Sequence, residues 1–522
     1  MAIKLTKNES VFRNELIYLG DAKAVNVDYT LLNLGMLLRY HGNRPKVRVD
    51  RQSSAMIDIN RLIKIIHGIE ETDRQMEGFM ANRDATEMWL RANLVNMVYR
   101  GNIEKEKIAS LRPIHLESYR VRNARHARDY NSADQVYMML SANPGLRDEL
   151  LKYLEEGWDQ SGKKIATSSK LDVDSLGILL LIQKVNPGIL SQEPTFSRIR
   201  PILQKQAQLF CDDIHRLLIY KRNIPRSVII EYLKILIAFH QALYFQKVVH
   251  LLPEMIRQGT VEVDDNWNIV VDMTDNLESK ISKLAIQDTE LVFNKLQEYI
   301  RSTFKVNAVL NKLNLDQTNS SNLDAALKEL KQPSADFETY FQARWSRLKE
   351  DQDIDEKQRL DYLTKYEDTF FEKYIQALMS VRSSYQYRYS RDLIDNLALK
   401  NEERGMMAQG RSRRHPRRFV MGARLLETLV QLLVLRFDPD KNEFFTQALT
   451  IEELIQEIRG RYGLIINGIG EDRFKDADIQ TVLAFRENVE AFKRKLRQIG
   501  FYNNLSDAYI LQKVNPRYSI QP

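Results

Sequence analysis

Residues 404–436 read RGMMAQGRSRRHPRRFVMGARLLETLVQLLVLR, a dense group of arginines followed by a helical pattern. No acidic residue lies between Glu403 and Glu427. Leucines then recur at helical spacing over 423–436, and Pro439 ends that helix because proline cannot continue one. This stretch opens the part of the chain that we expect to decide both architecture and function.

Three further elements are predicted after it. Thr450 and Glu453 have the spacing of a capping box, which places a second helix directly behind them. A longer third helix is expected over 476–499, with Gly500 as its C-cap. Two short apolar runs within 501–518 predict a hairpin. Helix, helix, long helix and hairpin is the order of a winged helix-turn-helix.

Length and composition are those of a globular protein with several domains. The chain has 522 residues, of which 43% are hydrophobic and 28% are charged. A single cysteine, Cys211, excludes an intramolecular disulfide and a Cys-based zinc site, so we expect a reducing cytoplasm. No uninterrupted apolar run approaches the roughly 18 residues that span a bilayer. We therefore expect no membrane partner.

The fold class predicted is mainly α, a multi-domain helical protein with small β-hairpins and a C-terminal winged helix-turn-helix. Small β elements are expected at 46–50, at 262–272 and in the C-terminal hairpin. Four domains are predicted: an N-terminal helical domain (1–160), a central helical domain with a small hairpin (170–310), a charged helical hairpin (325–403), and a basic arm with the winged helix (404–522).

Charge placement favours a polyanionic partner. Net charge is +7, and the residues from Asn401 onward carry 20 Lys and Arg against 16 Asp and Glu. In a winged helix the third helix lies in the major groove and basic residues contact phosphates, so double-stranded DNA is the expected partner. The predicted contact residues are Arg411, Arg413, Arg414, Arg417, Arg418, Lys493, Arg494, Lys495, Arg497, Lys513 and Arg517.

These basic residues fall into two groups with different expected roles. Those at 411–418 should form an exposed, mobile arm, since a folded core does not tolerate so many unpaired guanidinium groups. Those at 493–497 lie at the C-terminal end of the third helix rather than at its start. We therefore expect contact with the DNA backbone more than readout of its sequence.

Two alternatives remain open. Winged helices often bind only protein, and Glu487 and Glu490 on the third helix suit a protein-binding scaffold as well. Asp272 with Glu278 and Lys280 resembles the acid-acid-lysine set of metal-dependent nucleases. However, Glu278 and Lys280 are expected on a helix surface rather than on a strand beside Asp272. A non-catalytic protein without cofactor or metal is therefore favoured.

Residues 451–518 also carry a resemblance. Arg461-Tyr462-Gly463-Leu464-Ile465-Ile466 follows the capped helix, and Gly500-Phe501-Tyr502-Asn503-Asn504-Leu505-Ser506-Asp507-Ala508 follows the long one. This pattern resembles C-terminal segments of proteins from prokaryotic anti-phage defence islands, and most of all an accessory protein of the methylation-associated defence systems. The resemblance implies a non-catalytic subunit working beside separate methyltransferase, nuclease or ATPase partners, and it assigns no functional residues.

Overall fold

The computed structural model describes residues 3–44, 47–48, 59–72, 77–99, 102–123, 126–161, 163–166, 171–184, 188–189, 199–412, 415–501 and 513–521. Its α-helices are α1 (Val27–Arg39), α2 (Ile59–Thr72), α3 (Arg83–Ala92), α4 (Ser132–Leu140), α5 (Pro144–Glu155), α6 (Val173–Lys184), α7 (Gln204–Ile219), α8 (Arg226–Gln258), α9 (Lys280–Lys312), α10 (Ser321–Lys331), α11 (Phe337–Glu350), α12 (Ile354–Leu363), α13 (Phe370–Leu397), α14 (Ala423–Leu433), α15 (Ile451–Tyr462) and α16 (Ile479–Gln498).

The strands are short and join in pairs. They are β1 (Val47–Arg48), β2 (Leu94–Tyr99), β3 (Asn102–Leu111), β4 (Trp158–Asp159), β5 (Lys164–Ile165), β6 (Gly188–Ile189), β7 (Ile269–Val270), β8 (Met407–Gln409), β9 (Arg417–Phe419), β10 (Leu435–Asp438), β11 (Glu443–Thr446), β12 (Leu449–Thr450), β13 (Leu464–Ile465) and β14 (Lys513–Val514). In the described chain each sheet has two strands: β1–β6, β2–β3, β4–β5, β7–β13, β8–β9, β10–β11 and β12–β14. The predicted mainly helical class is confirmed.

Two compact units are built from interleaved segments of the chain. The first unit comprises Val25–Ser197 and Phe210–Ile237. The second comprises Met1–Ala24, Arg198–Leu209 and Ala238–Pro522. The division into four domains stays a prediction.

The first unit contains a histidine that is buried without a carboxylate partner. The Glu117 backbone N–H donates to Nδ1 of His115 over 3.1 Å, and Nε2 lies 3.2 Å from the carbonyl oxygen of Glu156. This places the ring proton on Nε2, where it donates to that carbonyl. Burial, together with the charge of Arg226, lowers the pKa of His115 to about 3. The ring is therefore a neutral structural group at neutral pH.

Helix α8 is a core helix. By length and composition it passes the test for a membrane-spanning helix among the described residues, although its sequence has no long uninterrupted apolar run. However, 89% of its most apolar window is buried inside the protein. The sequence pattern over 227–249 predicts such a buried helix, and the observed helix continues to Gln258.

The second unit is assembled around α9, which packs against α10, α13, α16, β7 and β9. Ser279 begins this helix by accepting a hydrogen bond from the Ser282 backbone N–H over 3.0 Å. One core cluster joins residues from distant parts of the sequence, among them Val270, Ile281, Ile465 and Phe485. This packing connects the segment around β7 with the C-terminal helices.

The prediction of a hairpin over 262–272 is wrong. Ile269–Val270 instead pairs in parallel with Leu464–Ile465 in the C-terminal region. The two hydrogen-bonded strands are only two residues long, so neither shows the alternation by which a longer strand is recognised. The predicted strand near 46–50 corresponds to β1.

The three C-terminal helices are confirmed. Thr450 and Glu453 form the predicted capping box at the start of α15. Helix α16 begins at Ile479, where Asp478 accepts a hydrogen bond from the Thr481 backbone N–H over 2.8 Å. Gly500 follows α16 with φ +80°, the left-handed region that favours glycine at a helix end.

One hairpin was missed and another lies partly outside the described residues. Strands β10 and β11 form an antiparallel hairpin directly after α14, with Asn442 at φ 53° in its turn. The sequence interpretation gave only a helix stop at Pro439. Of the predicted C-terminal hairpin, residues 502–512 lie outside the described residues, and β14 pairs with β12.

Candidate nucleic-acid interface

The predicted basic arm contains a short hairpin. Strands β8 and β9 are antiparallel, with Ala408 opposite Arg418 and Gln409 opposite Arg417. Since successive side chains of a strand point to opposite faces, these two arginines point in different directions. Each of them has an acidic partner elsewhere in the second unit.

Arg417 is held by a carboxylate and an aromatic ring. Its Nε and Nη2 donate to the two carboxylate oxygens of Asp395 over 2.7 Å each. Its guanidinium carbon also lies 5.0 Å from the ring centroid of Phe293 on α9. A bidentate pair of this kind fixes both the position and the orientation of the guanidinium group.

Arg418 is buried against a fully buried acid. Its side chain is 9% exposed, and its Nε donates to Oδ2 of Asp272 over 2.8 Å. The same carboxylate accepts hydrogen bonds from the Ser282 hydroxyl over 2.5 Å and from the Thr274 hydroxyl over 2.7 Å. Asp272 is therefore a structural counter-ion whose lone pairs are occupied.

A second acid connects β9 with α16. Asp275 lies 3.9 Å from Nη2 of Arg418 and 3.1 Å from Nζ of Lys495. Two predicted DNA-binding residues, one from each group of basic residues, thus share one carboxylate. With Asp272 included, two cations face two anions here, so this part of the surface carries little net charge.

The expectation of an exposed, mobile arm is wrong for Arg417 and Arg418. Both are paired internally, because acids from distant segments of the sequence reach them. Arg411 is exposed, as expected. Arg413 and Arg414 lie outside the described residues.

Helix α16 has a buried face that fixes its position. The Asn488 side chain accepts a hydrogen bond from the Met273 backbone N–H over 2.8 Å. Its amide group donates to the carbonyl oxygens of Val271 over 2.9 Å and Ile466 over 2.8 Å. Phe485 and Phe492 are buried on the same helix. The remaining face is free to carry charge into solvent.

That exposed face becomes basic towards the C-terminal end of the helix. Arg486, Glu490, Lys493 and Arg497 follow one stripe at helical spacing, with Arg494 beside it. Lys493 donates to Glu490 over 2.7 Å. Sequence reasoning did not include Arg486, although its i, i+4 relation to Glu490 places it on this stripe.

Arg517 adds a further cation where α16 ends. Its guanidinium group donates to the carbonyl oxygen of Ile499 and to a carboxylate oxygen of Glu427. The same group lies 4.9 Å from the ring centroid of Phe501. The negative end of a helix dipole favours such a cation. We call Lys493, Arg494, Arg497 and Arg517 the basic end of α16. Lys513 is exposed on β14.

The residues of the nuclease alternative do not converge. Asp272 is bound by Arg418, whereas Lys280 donates to both carboxylate oxygens of Asp478 over 2.6 and 2.8 Å. This hydrogen bond lowers the pKa of Asp478 below its ordinary value. Glu278 is exposed before the start of α9. Across the described ranges, no three His, Cys, Asp or Glu side chains are grouped to hold a metal ion.

Comparison with known families gives a match over almost the whole chain. The family model of methylation-associated defense system protein MAD7 matches residues 7–518. The chain belongs to this family. No curated protein matches it. The predicted resemblance to an accessory protein of methylation-associated defence systems is confirmed, and it extends well beyond the C-terminal residues that suggested it. The MAD7 family match thus includes α9, β9 and α16 in one sequence unit.

Proposed function

We propose that this MAD7 family member is a DNA-binding, non-catalytic subunit of a methylation-associated defence assembly, acting beside other subunits in the cytoplasm. The observation that supports the proposal best is the basic end of α16. Four cations lie at one end of a helix whose opposite face is fixed by Asn488 and two buried phenylalanines. A rigid helix with a charged, exposed end is suited to contact phosphates.

The arrangement of the C-terminal elements is consistent with a winged helix-turn-helix. The order α14, β12, α15, α16 and β14 is helix, strand, helix, helix and strand, and β12 pairs with β14. In winged helices the strand between the first two helices pairs with a strand of the wing. We therefore propose this fold for residues 404–522, with α16 as the helix that approaches the duplex.

The interface should recognise the DNA backbone rather than its sequence. The basic residues lie at the C-terminal end of α16, whereas helix-turn-helix proteins read bases mainly from the start of their recognition helix. Lys495 and Arg418 are occupied by Asp275 and Asp272, so they contribute less to phosphate binding than their positions in the sequence suggest. Arg411, at the exposed tip of the β8–β9 hairpin, is a further DNA-binding residue in this proposal.

A salt series on a labelled duplex tests the proposal. The affinity of the wild-type protein should fall steeply with salt concentration. The variant Arg494→Ala/Arg497→Ala should bind several-fold more weakly, and its log-log salt slope should be flatter by about 0.9 for each phosphate that the protein no longer neutralises. The control Arg91→Ala/Arg257→Ala removes the same charge from two other exposed arginines, each paired on its own helix. Equal effects of the two double variants would reject a specific role for α16.

A protein-binding scaffold is the second candidate, and α12 supports it. Ile354 and Tyr362 on this helix are 75% and 77% exposed, and Tyr366 just behind it is 87% exposed. Large exposed apolar side chains close together often mark protein-binding surfaces. If the wild-type protein shows no salt-dependent affinity for duplex DNA, the scaffold function becomes the better explanation.

A further inference from the structure

A polar cleft lies within the second unit, away from the basic end of α16. It has a volume of about 120 Å³ and is lined by α8, α9, the residues before β7 and Arg473. Its walls include the apolar side chains of Val249, Leu291 and Val292 and the indole of Trp267. For comparison, a cavity of about 150 Å³ accepts one benzene ring. The cleft is therefore large enough for one six-membered ring.

Two buried polar side chains line this cleft without partners. Gln246 is fully buried, and neither its Nε2 nor its Oε1 has a hydrogen-bond partner among the described residues. Trp267 is 5% exposed, and within the same described ranges its Nε1 is also unpartnered. Unsatisfied buried polar groups are rare and costly in proteins, so two of them in one cleft point to a molecule that bonds them.

The cleft offers a paired donor and acceptor together with a second donor. The Gln246 amide presents an N–H donor beside a carbonyl acceptor, the arrangement with which Gln and Asn side chains bond the edges of nucleobases. The Trp267 indole adds an N–H donor. A planar ring with alternating polar atoms along its edge would satisfy these groups, while its faces pack against the apolar walls.

The charged groups around the cleft favour an anionic substituent. Arg473 donates to both carboxylate oxygens of the buried Asp288, so this pair is neutral as a whole. Lys247 is paired with Asp265 over 2.6 Å. Lys295, one helical turn beyond Leu291 on α9, lines the cleft with no ion pair to any residue that the structure describes. It is the cation that remains for a phosphate.

We propose that this cleft binds a nucleobase that carries a phosphate. Gln246 and Trp267 would bond the edge of the base, and Lys295 would contact the phosphate. Such a group is present both in a free mononucleotide and in an unpaired nucleotide of single-stranded DNA. This inference goes beyond the proposed duplex binding and does not depend on it, because the cleft contains none of the residues at the basic end of α16.

Calorimetric titration and thermal melting with the four deoxynucleoside monophosphates test the proposal, with inorganic phosphate and the nucleosides as reference ligands. At least one monophosphate should bind and raise the melting temperature more than phosphate does. Gln246→Leu should weaken this binding roughly tenfold, since it removes two hydrogen bonds. Without ligand it should melt at or above the wild-type temperature, because leucine has no polar group to satisfy. Gln258→Leu, on the exposed surface of α8, is the matched control.

Two further variants make the test decisive. Trp267→Phe keeps an aromatic wall and removes the donor, so it should also weaken binding, and it serves if Gln246→Leu does not fold. Lys295→Ala should lower the affinity for the monophosphate roughly tenfold and leave the affinity for the nucleoside unchanged. Unchanged binding in a folded Gln246 or Trp267 variant would overturn the proposal.

Short single-stranded oligonucleotides distinguish the two sources of the ligand. Binding of the monophosphate alone identifies a free nucleotide, whereas sensitivity to Gln246→Leu with oligonucleotides only identifies an unpaired base in DNA. If neither ligand binds more tightly than phosphate, the proposal is wrong. The variant Arg494→Ala/Arg497→Ala should leave nucleotide binding intact, so failure of the duplex proposal remains distinguishable from failure of this one.

Discussion

Strand β9 and helix α16 carry similar basic side chains in very different environments. Arg418 on β9 is 9% exposed and shares hydrogen bonds with a fully buried carboxylate. Arg494 and Arg497 on α16 are exposed near the helix end. The same residue type therefore serves as an internal tie in one region and as a solvent-facing charge in the other.

The difference teaches that a dense run of arginines does not by itself indicate an exposed arm. Asp272 lies 146 residues before Arg418 in the sequence, so no local pattern reveals the pair. The helical stripe on α16 contains the acids that are local to it, Glu487 and Glu490, in plain view. Charge on a helix surface is thus more predictable than charge on a short strand that packs into a core.

Removing the buried member of the comparison should have the largest effect. Arg418→Ala leaves the fully buried Asp272 carboxylate without its guanidinium partner, and breaking a buried pair in this way costs about 3–5 kcal/mol. The free energy of unfolding, measured with urea, should fall by that amount. Arg411→Ala, at an exposed position of the same hairpin, should change it by less than about 0.5 kcal/mol.

The double variant Arg418→Met/Asp272→Asn sharpens this test. It removes both charges, so it should be more stable than Arg418→Ala alone. If Arg418→Ala and Arg411→Ala unfold at the same urea concentration, the difference between buried and exposed arginines proposed for this hairpin does not exist.

A smaller effect is expected where a buried group meets no acid and loses its charge instead. The folded-state pKa of His115 is about 3, against an unfolded value of 6.5, since burial disfavours the charged ring. Between these values the unfolded chain binds a proton and the folded chain does not. The contribution is therefore complete above about pH 6.5 and is lost as the pH falls towards 3. At pH 5 the loss should be about 2 kcal/mol.

Urea unfolding at pH 7, 6 and 5 measures this contribution. The variant His115→Gln remains neutral throughout, so its stability should fall less over this range than that of the wild type. Parallel pH profiles for the two proteins would show that His115 does not titrate differently on unfolding.

The exposed member of the comparison should have the smallest effect on stability. Arg494→Ala/Arg497→Ala removes two surface cations, and exposed ion pairs contribute only about 0–1 kcal/mol each. The melting temperature should stay close to the wild-type value while duplex binding weakens. A large fall in melting temperature would mean that α16 uses these arginines as β9 uses Arg418, and the proposed interface would lose its main support.

Locally encoded features are the ones that the sequence predicts well. Thr450 and Glu453 identify the start of α15, and the third helix, expected over 476–499, is observed at Ile479–Gln498. Each of these signals involves residues within one or two helical turns of each other. Capping preferences and helical periodicity are therefore sufficient to find them.

Features that depend on distant partners are not predictable in this way. The pairing of β7 with β13, the ties of Arg418 and Lys495, and the alignment of Gln246 with Trp267 all arise only when the second unit is assembled. The β10–β11 hairpin is different, because Asp438-Pro439-Asp440-Lys441-Asn442 is a local turn signal of which only the helix-ending proline entered the prediction. Of the candidate interface, the sequence predicts the helix and its basic end but not which cations are neutralised.

The parallel pairing of β7 with β13 imposes an order on events at the ribosome. Val270 is synthesised almost two hundred residues before its partner Ile465. At roughly 5–20 residues per second, about 10–40 s separate the two. Throughout that interval β7 has no strand to pair with, and Ile281 lacks the side chains of Ile465 and Phe485. A nascent chain that stalls before Ile465 therefore presents an uncovered apolar surface to chaperones and proteases.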